Sequence, residues 1–193
     1  HELIEFRRIE TGNREVRVES LNVSFIVKGI AKTFVEMAKS RNITFLSKIP
    51  EQVMWNSDKG FLNTIIINLI SNAFKYTPDG QSIKIEVDTS GENMLTLRVA
   101  NEGSTIKEKD FQYIFNRYAI LDNFENQDEK NFSRNGLGLA ISYNMAKLLN
   151  GTLKVENTPD GWVMFTLTLP VMEQTTGVAE AKRLTAEYIP KID

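Results

Sequence analysis

Residues 61–78 read FLNTIIINLISNAFKYTP, and the rest of the chain is best understood outward from them. Asp58 stands three residues ahead as an N-cap and Pro78 closes the stretch, so it reads as one helix of about five turns. With about 100° between successive residues, Thr64, Asn68, Ser71, Asn72 and Lys75 fall on one narrow arc. Leu62, Ile66, Ile67, Leu69, Ile70 and Ala73 fill most of the opposite side. A helix face that only meets water is usually built from Glu, Lys and Arg. Asn and Ser are poorer helix formers, each weaker than Ala by roughly half a kcal/mol. Two asparagines at i and i+4 with a lysine beyond them suit chemistry instead. The amide oxygen is a neutral ligand for Mg²⁺, and the ammonium is a mobile point charge for phosphate. The pattern leaves two readings open, a solvated face and a nucleotide–metal face.

Farther along, Arg134-Asn135-Gly136-Leu137-Gly138-Leu139 precedes AISYNMAKLLNG, an apolar-periodic helix that Asn150-Gly151 ends as a left-handed C-cap. Glycines at the opening of a helix would let backbone N–H groups approach an anion, where the helix dipole favours negative charge. A lone GxG is weak. The order carries more: a helix with NxxxNxxK, then a strand-borne glycine loop, then GLGL on a second helix.

That order resembles the ATP-binding domain of sensor histidine kinases, in the wider family shared with gyrase and the ninety-kilodalton heat-shock chaperones. The matching stretches are NLISNAFKYTP (the N box), VANEGSTI (the first glycine box), IFNRY (the F box), NGLGLAISYNMAKLLNG (the second glycine box) and the closing FTLTLP. The resemblance spans residues 16–170. It implies a two-layer α/β sandwich of the Bergerat type, and the short alternating strands independently suggest a mixed sheet with helices on one face.

Composition bounds the rest. The 193 residues are 41% hydrophobic and 25% charged, which suits one globular domain with short flanks. A net charge of −2 leaves no basic footprint for nucleic acid. With no cysteine there is neither a disulfide framework nor a thiolate metal site. No apolar run reaches the length of a membrane span, so no membrane contact is expected of this region. By resemblance it would be the cytoplasmic part of a membrane-anchored sensor.

In chain order, residues 1–13 (HELIEFRRIETGN) read as the end of a charged helix with an apolar edge at Leu3, Phe6 and Ile9 or Ile4. By resemblance this is the end of the second helix of a dimerisation hairpin. The phosphoacceptor box of the family also begins His-Glu, but continues Arg-Thr-Pro. Here Ile4-Glu5-Phe6 follows, so His1 is expected to be inert and the acceptor histidine to lie outside this chain. A strand is expected over 16–19, and a helix over 21–40 with Phe25, Ile26, Ile30, Phe34 and Met37 inward, opened by Asn22 or Ser24. Strands follow over 43–48, 53–56, 82–88 and 94–100. A short helix over 110–118 would carry the F box, and 119–135 reads as a polar loop, a lid over the nucleotide or plain surface. Strands over 153–157 and 162–169 pair through Thr158-Pro159-Asp160-Gly161. Division into 1–13, a catalytic domain over 14–170 and a linker over 171–193 completes the expectation.

The resemblance carries roles onto single residues. Asn72 would ligate Mg²⁺, and Lys75 would contact the triphosphate. Asn68 would lie near the phosphates, where ATP-hydrolysing relatives have a glutamate. An amide cannot act as a base, which favours phosphoryl transfer over hydrolysis. Tyr76 would stack on adenine or, alternatively, pack in the core. Asn101, Gly103 and Ile106 of the first glycine box, Arg117, and Gly136, Leu137, Gly138 and Leu139 of the second would complete the ATP site, with Phe115 an apolar hinge for the lid. Expected partners are the dimerisation and phosphoacceptor domain of the same protein and a response-regulator receiver domain.

Several positions depart from the family pattern. Asn101 replaces Asp, Thr105 and Arg134 replace glycines, and Trp162-Val163 replaces a closing glycine-threonine pair. An Asn oxygen still accepts from the adenine amino group, though uncharged and so more weakly. These departures support a rival reading, a kinase-fold scaffold with weak or no nucleotide binding.

Overall fold

The structure is a computed structural model that describes residues 15–91, 93–103, 105–111, 113–115 and 129–175; at 90 and 129–137 only the backbone is described. Its elements are β1 (Glu19–Asn22), α1 (Val23–Thr33), α2 (Val35–Ser40), β2 (Thr44–Lys48), β3 (Met54–Ser57), α3 (Lys59–Tyr76), β4 (Ser82–Gly91), β5 (Met94–Glu102), a 3₁₀ turn at Glu108–Asp110, α4 (Glu129–Leu148), β6 (Thr152–Asn157) and β7 (Trp162–Pro170).

The period-two alternation of 82–102 and 152–170 becomes a five-stranded sheet of order β2-β4-β5-β7-β6. β2 lies parallel to β4, and the other pairs are antiparallel. Leu95, Leu97 and Val99 of β5 and Val163, Phe165, Leu167 and Leu169 of β7 are buried under the helices. The residues between them are half-exposed on the open face, where Arg98 meets Glu86 and Asp88. The expected mixed sheet with helices on one face is the architecture found. A separate two-stranded sheet pairs β1 with β3.

α3 packs against α4, β5 and α1. Asp58 caps it as expected, its Oδ1 accepting from the Phe61 N–H at 3.0 Å while Oδ2 accepts from the Arg17 N–H at 2.8 Å. Because it is covered on several sides its apolar arc is wide, and Phe61, Ile65 and Phe74 are buried with Leu62, Ile66, Leu69, Ile70 and Ala73. Ile67 is not: it is 43% exposed, about 40° around the helix from solvent-facing Ser71.

The helix expected over 21–40 is two. Thr33 turns its hydroxyl back to the Ile30 carbonyl at 2.7 Å, and the Phe34 N–H bonds Ala31 at i−3, so the axis breaks at Phe34. Asn22 is the N-cap, accepting from the Phe25 N–H. The buried face is Val23, Ser24 and Val27, with Ile26, Ile30 and Phe34 packed partly against the core. Phe25 is 75% exposed and Met37 46%, so neither faces inward. The strand expected over 16–19 begins only at Glu19, although Val16 and Val18 are buried.

α4 is capped by Asn150 (φ 58°), whose N–H bonds Lys147 while that of Gly151 bonds Ala146. This is a Schellman cap with asparagine, not glycine, in the left-handed position. The chain beyond β7 returns beneath the small sheet. Trp55 Nε1 donates to the Pro170 carbonyl at 3.0 Å and Asn56 Nδ2 to that of Met172 at 2.9 Å. Val18 and Thr175 then pair, Thr175 N–H to the Val18 carbonyl at 2.9 Å and Val18 N–H to Thr175 Oγ1 at 2.8 Å.

Candidate functional site

The polar arc of α3 is bordered by the segment leaving β5 and by α4. Asn72 lies where the arc turns into the core and is only 7% exposed. Its Oδ1 is buried and accepts no hydrogen bond. A buried amide oxygen without a partner costs about 1–3 kcal/mol, and this one is left open to a ligand. A neutral oxygen on a rigid helix fits a Mg²⁺ whose remaining ligands are phosphate oxygens and water. No group of three His, Cys, Asp or Glu that could hold a metal occurs among the described residues. Lys75 is half-buried one turn on, its Nζ 5.8 Å from the centre of the Tyr76 ring. Tyr76 is also half-buried and packs against the core.

Asn68 faces α4. Its Nδ2 donates to the Gly138 carbonyl at 3.1 Å and to Ser142 Oγ at 3.0 Å. At the other end of the arc, Gly103 (φ 131°) presses on the exit of α3. A Cβ there would lie 2.8 Å from Pro78 Cδ and 3.1 Å from the Tyr76 carbonyl oxygen, so only glycine fits. The two glycine segments thus touch α3 at residues 68 and 76, about 12 Å apart along its axis.

Asn101 is 2% exposed and donates from Nδ2 to the Glu102 carbonyl at 3.1 Å. That carbonyl can only accept, which fixes the amide nitrogen toward it and makes Oδ1 the end that can accept from a ligand. Ile106 and Leu139 are buried core residues. Ile106 is gripped from β6, its N–H donating to Asn157 Oδ1 at 3.0 Å and its carbonyl accepting from Asn157 Nδ2 at 2.6 Å.

The second glycine box does not open its helix. α4 begins at Glu129, which puts Gly136 and Gly138 about two turns inside it. Their N–H groups are interior helix positions, not terminal orphans. Helix propagation from the packed half through Arg134, Lys130 and Glu129, all good formers, outweighs the roughly 1 kcal/mol that each glycine costs. For the same reason 129–135 is helix, not loop. The F-box helix expected over 110–118 is, in its described part, the 3₁₀ turn followed by turn residues, with i−3 bonds from Asp110 to Lys107 and from Phe111 to Glu108. Phe115 stacks on Tyr143 of α4 at 5.1 Å and sits edge-on to Phe165 of β7. Arg117, the lid residues 119–128, the segment 1–13 and the tail 176–193 lie outside the described residues, as does the side chain of Leu137.

The sequence pointed to the N-box residues through helical periodicity. It gave no hint of Ser142, Asn157 or Arg41, whose partners are distant in the chain. Arg41 closes the far end of α3. Its guanidinium donates to the Phe74 carbonyl, to the Thr77 carbonyl at 2.5 Å and to Asp79 Oδ1 at 2.7 Å.

Residues 57–173 match the family described as histidine kinase-, DNA gyrase B-, and HSP90-like ATPase. Histidine kinase P4 of Formosa agariphila is 30% identical over 171 residues, 88% of this chain and 12% of that protein. Sensor protein EvgS of Escherichia coli (strain K12) is 27% identical over 94% of this chain and 15% of its own length. For sensor histidine kinase WalK of Bacillus subtilis the figures are 25%, 90% and 28%. The chain therefore spans 12% to 28% of the length of these relatives. Among solved structures, the catalytic domain of histidine kinase ThkA superposes with a TM-score of 0.65 at 24% identity, over 80% of this chain and 97% of that one. Full-length ShkA in complex with AMPPNP gives 0.73 at 17% identity, over 90% and 35%. These two likenesses establish the fold.

Proposed function

Because this chain belongs to the histidine kinase-, DNA gyrase B- and HSP90-like ATPase family, we propose that it is the ATP-binding catalytic domain of a sensor histidine kinase, passing the γ-phosphoryl group of ATP to a histidine outside the chain. The observation that carries this reading is the buried, unpartnered Oδ1 of Asn72. A bound Mg²⁺ would neutralise charge on the β- and γ-phosphates. The chain's own residues bind and orient. Asn72 offers the metal a neutral oxygen, and Lys75 reaches the triphosphate. Asn101 accepts from the adenine amino group beside Gly103 and Tyr76, while Gly138 faces the phosphate end. Asn68 is an amide and cannot itself activate water as a base, which favours transfer to another acceptor. The dimerisation and phosphoacceptor domain of the same protein and a receiver domain are the partners this reading implies, in the cytoplasm. No described helix is long and apolar enough to cross a membrane.

Titration of Mg²⁺-ATP into the purified chain tests the site. Losing a charged phosphate contact costs about 1.5–3 kcal/mol, so Lys75→Ala weakens affinity about tenfold or more. Asn72→Ala removes the Mg²⁺ dependence. Unchanged affinity in both variants overturns the assignment. A second reading, a scaffold that binds nucleotide poorly, is favoured by the glycines lying inside α4; it holds if the parent chain does not bind.

A further inference from the structure

Ser142 is wholly buried in the interior of α4, at 0% exposure. Serine is a middling helix former, and a buried hydroxyl is costly unless it is bonded, so something specific keeps it there. Its Oγ accepts from Asn68 Nδ2 at 3.0 Å, and the same nitrogen donates to the Gly138 carbonyl at 3.1 Å. A carbonyl only accepts, so the nitrogen of Asn68, not its oxygen, must face α4. Both amide hydrogens are therefore committed to a single turn of α4. One turn along α3 from Asn68 is Asn72, whose Oδ1 is unpartnered.

We propose that Ser142 is a positioning residue: acting through Asn68, its hydroxyl fixes the glycine-bearing turn of α4 in register with the Asn72 oxygen. The proposal rests on the nucleotide reading given above. It assigns Asn68 to holding the two walls of the site together, and Ser142 to orienting Asn68.

Thr and Val are close in shape, and only Thr has the hydroxyl, so Ser142→Thr and Ser142→Val load the buried position about equally while differing in the acceptor. Two measurements on the 193-residue chain test the proposal. The first is hydrogen exchange of the Asn68 side-chain amide by NMR, with its signals identified by their loss in Asn68→Ala. The second is titration with Mg²⁺-ATP. Exchange is slower in Ser142→Thr than in Ser142→Val, and the Val variant binds Mg²⁺-ATP about fivefold more weakly, the effect of one neutral hydrogen bond. In an Asn68→Ala background the Thr–Val difference shrinks below about twofold, because the group through which Ser142 acts is gone. Should the two larger residues not fit, Ser142→Ala against the parent carries the same contrast. A difference in affinity that survives in Asn68→Ala overturns the proposal, as does equal affinity in the two variants. Equal exchange with binding intact in the parent overturns the clasp alone. Failure of the parent chain to bind Mg²⁺-ATP overturns the nucleotide reading, and the positioning role with it.

Discussion

Arg41 Nη2 donates to the carbonyl oxygen of Thr77 at 2.5 Å, so a residue leaving α2 closes the C-terminal end of α3. The carbonyls at a helix end have no partner within the helix, and a guanidinium can serve two of them and a carboxylate at once. Here it serves Phe74, Thr77 and Asp79. The turn it fastens carries Lys75 and Tyr76.

Arg41→Ala should accordingly lower stability by about 1.5–3 kcal/mol, the range for hydrogen bonds to a charged group. Arg41→Lys should recover only part of it, since one ammonium cannot span the fork. Denaturant unfolding of the three proteins checks this; equal midpoints for parent and Arg41→Ala would count against the cap.

The two contact glycines should respond in opposite directions. At Gly103 the backbone conformation and the approach of Pro78 exclude a side chain, so Gly103→Ala should cost about 1–3 kcal/mol of stability. At Gly138 a Cβ would meet Asn68 at 3.6–3.7 Å, ordinary contact, within a helix. Gly138→Ala should stabilise the chain by up to about 1 kcal/mol and, on the nucleotide reading proposed above, weaken nucleotide binding. Thermal melting and Mg²⁺-ATP titration of both variants separate the two effects.

Asn68→Asp exchanges a double donor for an acceptor facing the Gly138 carbonyl and Ser142 Oγ. At neutral pH it should lose about 1–3 kcal/mol. The introduced carboxyl can donate only when protonated, so its folded pKa is raised. Stability is then best in acid and falls as pH rises through that value. A pH series of unfolding midpoints, parent against variant, measures the crossing.

In the β6–β7 turn, Thr158 Oγ1 donates to Asp160 Oδ1 at 2.6 Å. This bond, aided by the backbone N–H of Asp160, holds the Asp160 carboxyl below its ordinary value. The contribution is therefore present above the usual carboxylate range and lost as pH falls through the lowered value. Thr158→Val should return the titration of Asp160 toward the ordinary range, as read from its carboxyl carbon shift.

Local rules made α3 legible, because Asp58 and Pro78 mark its ends and periodicity marks its faces. They failed where tertiary structure chose between near-equal options. Phe25 had the right spacing for a core position, but α1 settles on Val23 and Val27 and leaves it in solvent. The glycines of the second box looked like a helix start, and α4 runs through them. Asn157, Arg41 and Ser142 act on residues between 33 and 74 positions away, a separation that no short window can register.

The pairing of Val18 with Thr175 has a mechanical consequence. There the first and last described segments lie side by side, like two cords tied in a single knot. A pull that separates the two cords falls on this pair of hydrogen bonds and on the neighbouring grip of Trp55 and Asn56 on the return segment. None of these bonds involves α4 or the Asn68 contact. The contact between α3 and α4 can therefore stay unloaded while the first and last described segments are pulled apart.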